Sequence, residues 1–407
     1  MRCGLLGKKL GHSYSPQIHG YLGSYTYDLF ERMPEELEDF LKYGDFTGLN
    51  VTIPYKKAVI PYCSELSDRA AALGSVNTIV RRDDGSLIGH NTDYFGFASM
   101  VKRSGLQLQD KKVLVLGSGG ASATVVAVLK ALGANVVVIS RTGENNYGNL
   151  HLHRDAAAIV NTTPVGMYPE VGVSPIDLDQ FANLEGVLDV IYNPARTKLL
   201  LDAQKRGLIT ENGLWMLVAQ AKESAEWFTQ TRISDDKIAH IHETLRRQME
   251  NILLIGMPGC GKSTIGKSVA LLLGKTFIDI DVEIVKQAGM SIPEIFAKDG
   301  EEGFRKLETD VLAQFCKQSG LVIATGGGCV TREGNYPIMH QNGKIIWLQR
   351  ELELLPTDGR PLSQKGKLDA MYQVRKPLYT RFSDGIVIND ADSECVTRRI
   401  IALEETL

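Results

Sequence analysis

Metal-ligand spacing is the first thing this chain lacks. Its six cysteines, Cys3, Cys63, Cys260, Cys316, Cys329 and Cys395, are scattered, with no C-x-x-C pair and no Cys/His spacing suited to zinc. That excludes a zinc module or a dithiol redox centre as the organising feature and leaves free thiols in a reducing compartment as the expectation. Neither sign of charge is in excess. The 45 Lys and Arg against 48 Asp and Glu leave a net charge of −3, which supplies no field for nucleic acid or an anionic membrane. No apolar run approaches the roughly 20 residues that span a bilayer, and Met1-Arg-Cys-Gly-Leu-Leu-Gly-Lys8 lacks the apolar core of a signal peptide. The expectation is a cytoplasmic protein with small-molecule substrates and no nucleic-acid or membrane partner; oligomeric state is left open. Around residue 250 there is no Gly/Ser-rich or Pro-rich spacer either. At 407 residues the chain is too long for one core, so its domains must follow one another almost without linker.

What is present is best read from Gly256-Met-Pro-Gly-Cys-Gly-Lys-Ser-Thr264, directly after the apolar run Ile252–Ile255. A buried strand enters a glycine loop and a helix start. The pattern G-x-x-x-x-G-K-[ST] brings backbone N–H groups, a helix N-terminus and an ammonium together on a polyphosphate. Such a strand usually opens its domain, so a new domain begins near residue 250. Cys260 lies inside the loop at the helix N-terminus, where a thiolate is favoured; alkylation that ATP prevents is the expectation.

Towards the N-terminus, Gly4–Gly7 reads as a strand leading to Ser13 and Ser15 before a helix near Pro16. Two hydroxyls there either hold a small carboxylate or cap the helix. Gly48–Ile53 reads as another strand, with Lys56 at the start of a following helix. A macrodipole disfavours a cation in that position, so the lysine is either a usable proton donor or simply solvated. Asn77, Asn91 and Asp93 fall at strand ends, as site residues in α/β folds often do, though each alone is as readily a turn residue.

Taken in order, Gly4-Leu-Leu-Gly with His12-Ser-x-Ser-Pro16, Asn50-Val-Thr-x-Pro-x-Lys56, Val76-Asn-Thr78 and Asn91-Thr-Asp93 resemble the signatures of shikimate dehydrogenase. The resemblance implies that Ser13 and Ser15 hold the substrate carboxylate, that Lys56 and Asp93 are the catalytic pair, and that Thr52 and Asn77 contact the hydroxylated ring. His19-Gly20 stands where the family commonly has His-Asn.

The next stretch reads as a dinucleotide domain. Lys112–Leu116 is a buried strand, and Gly117-Ser118-Gly119-Gly120-Ala121 a phosphate turn before a helix. A second strand ends at Ser140-Arg141-Thr142, where a cation suits the 2′-phosphate of NADP. By resemblance Val190 lies along the nicotinamide, Gly213 against cofactor, and Tyr192 and Gln220 against substrate. Two departures are visible: a polar stretch, 143–154, where the family has a helix, and Trp215 where a smaller residue is common, which could crowd the site.

Beyond the phosphate loop, Phe277–Asp281 would place Asp279 and Asp281 on one face of a strand end, suiting magnesium and a substrate hydroxyl. Phe304-Arg305, Ile323–Gly328, Gly359-Arg-Pro-Leu362 and Arg375–Tyr379 follow, and the set resembles shikimate kinase. That resemblance implies shikimate contacts from Asp281, Arg305, Gly327 and Arg375. It implies ATP contacts from Gly259, Cys260, Gly261, Lys262, Ser263, Thr264 and Arg360, magnesium at Ser263 and Asp279, and catalytic roles for Lys262 and Asp281. The short stretch 356–359 implies an abbreviated lid.

The expected architecture is α/β throughout. A mixed-sheet substrate domain (1–98, completed by helices at about 214–249) is followed by a Rossmann-like NADP domain (99–213) and a P-loop kinase domain with a parallel sheet (250–407). The expected chemistry is NADPH-dependent reduction of 3-dehydroshikimate, then ATP- and Mg-dependent phosphorylation of shikimate. Two rivals stay open: a degenerate half serving as a scaffold, and a quinate-tolerant dehydrogenase using NAD.

Overall fold

Residues 1–11, 13–355 and 365–407 are described by the computed structural model. They divide into two compact units. The first comprises Met1–Val165, Val173–Tyr192 and Leu199–Leu245, and the second Gly166–Gly172, Asn193–Lys198 and Arg246–Leu407. Two short segments that the sequence assigns to the nucleotide domain thus group with the second unit.

The first unit holds two sheets. One is mixed, in the order Thr26–Glu31, Arg2–Gly7, Gly48–Val51, Thr78–Arg81, Leu87–His90, Glu65–Leu66. Thr78–Arg81 runs antiparallel to both its neighbours. The other is wholly parallel, in the order Ile209–Glu211, Gly186–Asp189, Ala158–Asn161, Lys112–Leu116, Asn135–Ile139. Its strand Lys112–Leu116 carries four consecutive side chains with no exposure, Val113 to Leu116. A parallel strand covered on both faces reads as such a continuous apolar run, and burying each of these side chains contributes about 1.5–3 kcal/mol.

The helices Asp93–Ser104 and Leu214–Thr229 pack closely because Gly96 has no side chain: a Cβ there would stand 2.8 Å from Met216 O and 3.0 Å from Gln220 Cβ. Trp215, on the second of these helices, turns towards the first. Its Nε1 donates to Ser99 Oγ at 2.8 Å, and the Arg103 guanidinium lies 4.4 Å from its ring centroid. Those contacts account for the large side chain at this position, and the expected crowding does not follow.

The second unit is built on a five-stranded parallel sheet in the order Thr276–Asp279, Leu321–Ala324, Asn251–Ile255, Gly343–Gln349, Gly385–Ile388. Its central strand, Asn251–Ile255, is buried at every position and is separated from the helix Asp236–Met249 by Glu250 alone. Glu250 is 6% exposed and lies among Arg196 (3.4 Å), Lys344 (3.5 Å) and Arg246. The segment Asn193–Lys198 is bound by Ala195 N donating to Asn342 Oδ1 and Arg196 Nη1 donating to His340 O.

Candidate functional sites

In the first unit the strand ends deliver a compact polar group. Thr52 follows Gly48–Val51, and the chain continues through turns from Ile53 to Val59, so no helix begins at Lys56 as the sequence suggested. What places Lys56 is Asp93, whose Oδ2 accepts from Lys56 Nζ at 2.5 Å. Asp93 is the first residue of Asp93–Ser104, and a helix N-terminus favours the carboxylate. Both side chains keep limited access, 24% for Lys56 and 13% for Asp93.

Asn77 is nearly enclosed. Its Oδ1 accepts Thr92 N–H at 2.7 Å, and its Nδ2 donates to Thr92 Oγ1 at 3.0 Å. Asn91 closes the same turn, donating to Ser75 O at 2.9 Å. Ser13 Oγ accepts from Ser15 N at 3.2 Å, and Ser15 opens the helix Ser15–Leu22. Between them Tyr14 meets Tyr192 edge to face, with centroids 6.2 Å apart. Gln220 donates to Leu217 O at 2.8 Å on its own helix.

The nucleotide turn lies at the C-terminal end of the parallel sheet, where such sheets bind ligands. Gly117 has φ 101°, which a side chain would strain, and Gly119 leads into the helix Gly120–Ala131 through Gly120 and Ala121. Beside Ser118, Cβ atoms at Gly119 and Gly120 would meet nothing within 4 Å, so the turn is open to a phosphate. A Cβ at Gly213 would stand 2.0 Å from Val190 O, which brings those two backbones flush. Ser140 Oγ donates to Thr142 O at 2.5 Å, and Arg141 is exposed. As the sequence suggested, no α-helix follows. Asn146 and Asn149 tie the loop to Gly143 O and Glu144 O, and only the short 3-10 turn Leu150–His153 precedes the next strand.

In the second unit, a cavity of about 580 Å³ is bounded by the phosphate loop, Asp279, Asp281, Arg305, Glu308 and Arg375. Gly256, Gly259 and Gly261 take φ of 142°, 83° and 98°, turning the loop into the helix Lys262–Leu273, whose first turn carries Ser263 and Thr264. Lys262 Nζ is folded onto Gly256 O (2.9 Å) and Met257 O (3.0 Å). Ser263 Oγ donates to Asp279 Oδ2 at 2.6 Å.

The strand Thr276–Asp279 ends two residues earlier than the alternation argument needs. Asp279 caps a helix by accepting from Asp281 N at 3.1 Å, so Asp281 stands in the first turn of Ile280–Ala288. Both carboxylates still line the cavity. Cys260 is fully buried, its Sγ lying 3.0 Å from where a Gly256 Cβ would be. Its backbone N–H donates to Met257 O and its carbonyl accepts from Asn389 Nδ2, and the expected alkylation has no access to the thiol.

Arg305 follows the break at Gly300 (φ 69°) in Ile292–Cys316, and its Nη1 donates to Glu308 Oε2 at 2.7 Å. Gly327 O accepts from Arg375 Nη1 (3.1 Å) and Tyr379 Oη (2.5 Å). Glu308 went unnoticed in the sequence, where an arginine three residues before a glutamate was the only available sign of it, and Tyr379 figured only as the end of the Arg375–Tyr379 stretch, with no role. Arg360, the short stretch 356–359 and His12 lie outside the described residues.

The first unit thus carries a dinucleotide turn with a lysine–aspartate pair, and the second a phosphate loop above an acid–arginine cavity: a reductase and a phosphotransferase on one chain. Comparison with known proteins gives the particular kinds. The family model for the shikimate dehydrogenase substrate binding domain matches residues 5–79, and that for shikimate kinase matches residues 258–404. A shikimate dehydrogenase (NADP(+)) of Clostridium perfringens is 34% identical over 265 residues, which is 60% of this chain and 97% of the relative. Among solved structures, shikimate dehydrogenase 1 of Peptoclostridium difficile is 37% identical with a TM-score of 0.55, covering 60% of this chain and 97% of that one. A chorismate mutase/shikimate 5-dehydrogenase fusion protein of Clostridium acetobutylicum is also 37% identical with a TM-score of 0.57, covering 60% and 96%. The chain belongs to the shikimate dehydrogenase family and continues into a shikimate kinase domain, as a bifunctional enzyme of the shikimate pathway.

Proposed function

We propose that the first unit reduces 3-dehydroshikimate to shikimate with NADPH and that the second phosphorylates shikimate with ATP and Mg²⁺ to shikimate 3-phosphate. The observation that carries the first half is the 2.5 Å pair of Lys56 and Asp93. NADPH supplies a hydride to the ketone carbon. Charge then grows on the carbonyl oxygen, and Lys56, held by Asp93, gives that oxygen a hydrogen bond or proton. Ser13 and Ser15 bind the carboxylate, while Thr52, Asn77, Tyr192 and Gln220 orient the ring. Gly117 to Ala121 would hold the cofactor diphosphate and Ser140 to Thr142 its 2′-phosphate, and the flush backbone at Val190 and Gly213 leaves room for the nicotinamide.

In the second unit Asp281 orients the attacking hydroxyl, and Arg305, Arg375 and Gly327 hold shikimate. Gly259 to Thr264 and Arg360 bind ATP. Lys262 must exchange its carbonyl partners for phosphate oxygens, so its present hydrogen bonds keep the ammonium satisfied until nucleotide arrives. Ser263 and Asp279 are hard oxygen donors of the kind Mg²⁺ accepts beside phosphate and water. When bound, Mg²⁺ neutralises phosphate charge.

The substrates are small molecules, and no helix among the described residues is long and apolar enough to cross a membrane. All six cysteines are free, which suits the reducing cytoplasm where we place both reactions. The test is a coupled assay on the whole chain, following NADPH loss and ADP formation separately. Lys56→Met should abolish the first and spare the second, and Lys262→Ala the reverse. If either wild-type activity is missing, that half is a scaffold; reduction retained in Lys56→Met removes the assigned role of that residue.

A further inference from the structure

Ser224 has no exposure and lies one helical turn beyond Gln220 on Leu214–Thr229. Its hydroxyl contacts Gln220 O (2.9 Å), Asn50 Nδ2 (2.7 Å), Thr78 Oγ1 (2.9 Å) and Thr92 Oγ1 (2.9 Å). Each partner adjoins a residue of the reductase site: Asn50 is two positions before Thr52, Thr78 follows Asn77, and Thr92 precedes Asp93.

The donor directions form one consistent set. Gln220 O can only accept, so Ser224 spends its single proton there. Asn50 Nδ2 can only donate, and it gives to Ser224 Oγ and, at 3.2 Å, to Thr78 Oγ1. Thr78 in turn donates to Asn77 Oδ1 at 3.2 Å. Thr92 Oγ1 accepts from Asn77 Nδ2, and of the acceptors within reach of its own proton Ser224 Oγ (2.9 Å) is nearer than Asn77 Oδ1 (3.3 Å). In this arrangement the 2.9 Å Ser224–Thr78 contact carries no proton, and Thr92 N, which can only donate to Asn77 Oδ1, defines which end of the Asn77 carboxamide is oxygen.

We propose that Ser224 is a positioning residue of the reductase site, fixing the orientation of Asn77 and tying the turn that carries Asp93 to the helix that carries Gln220. The proposal rests on the reductase reading given above. Replacing Ser224 by alanine would leave the Asn50 N–H and the Thr92 O–H without this acceptor in a dry interior, where an orphaned donor is costly.

The test compares Ser224→Ala, Thr78→Val and the double variant in the full chain. Each single variant should lower kcat for 3-dehydroshikimate reduction about tenfold and raise its KM about fivefold, with KM for NADPH and the kinase rate within about twofold of wild type. The double variant should be no worse than the poorer single one, because both break one network. Amide hydrogen exchange should quicken at 50–52, 77–78, 91–96 and 217–224 ahead of the rest of the unit. Unchanged kinetics, strictly multiplicative losses, or exchange rising evenly over the whole unit would overturn the proposal. A wild-type chain that reduces nothing would count against the reductase reading; the exchange pattern would still decide the positioning role, since protection of these segments does not depend on turnover.

Discussion

Glu308 is fully enclosed, with one oxygen on Arg305 and the other, Oε1, lacking any hydrogen-bond partner among the described residues. Burial pushes its carboxyl above the ordinary range, while the Arg305 guanidinium opposes that shift. The pair sets where the arginine points, and a neutral side chain of the same shape would loosen it. Glu308→Gln should raise KM for shikimate in the kinase reaction about tenfold and leave KM for ATP almost unchanged. Initial rates with each substrate varied would check this; an unchanged KM for shikimate would mean that Arg305 is held by its helix alone. At this scale the sequence was most legible where residue type and order carry the chemistry, as with Lys56 and Asp93. Glu308 and Ser224 were not: an arginine three residues before a glutamate on a helix reads as an ordinary surface pair, and Ser224 matters through contacts with residues 132 to 174 positions away.

Among the elements, the three sheets and most helices could be read from apolar runs and glycine turns, but boundaries set by side-chain capping could not. Asp279 ends its strand by capping a helix, and period-two alternation cannot register that. The helix expected at Lys56 fails for the converse reason: the chain there is held by turns and by an ion pair 37 residues away in sequence.

The strand Leu87–His90 offers a test of packing between elements. His90 is 5% exposed, stacks 3.7 Å from the Trp227 ring of Leu214–Thr229, and has no partner for either ring nitrogen among the described residues. Burial lowers its pKa from the ordinary 6.5 to about 4, and that of the enclosed His19 to about 3. Both stay neutral in the fold while the unfolded chain takes up protons. The contribution of these two histidines is therefore intact above pH 6.5 and falls as the pH drops towards 4, by up to about 1.4 kcal/mol per pH unit for each. The partly buried Glu223 carboxyl, raised to about 7, offsets one proton of that loss between pH 7 and 4.5. Calorimetry of the whole chain should show the melting temperature of the first unit falling from pH 6.5 towards 4. His90→Phe, which keeps the stacking, should reduce the slope by one proton; an unchanged slope would exclude His90 as a source.

At the scale of the second unit, Glu250 stands between the helix Asp236–Met249 and the central strand Asn251–Ile255. Its carboxylate is buried among Arg196, Arg246 and Lys344, so the residue that follows the helix is part of the second unit's interior. Glu250→Ala should destabilise that unit by about 3–5 kcal/mol, as removal of one partner from a buried ion pair does. A second calorimetric transition at the wild-type temperature would refute this. Composition showed that the chain had no spacer near residue 250, but not that Glu250 would be buried in a charge network, since its partners lie as far away as positions 196 and 344.

The same interior view applies to Gly326, Gly327 and Gly328, where a Cβ would stand 2.4 Å from Glu308 Oε1, 2.7 Å from the Pro258 ring and 2.1 Å from Arg305 Nη2. Any missense change in those three codons adds a Cβ. A compound seated against this wall would press on a surface that heredity cannot easily reshape, and resistance to it would have to arise elsewhere in the chain.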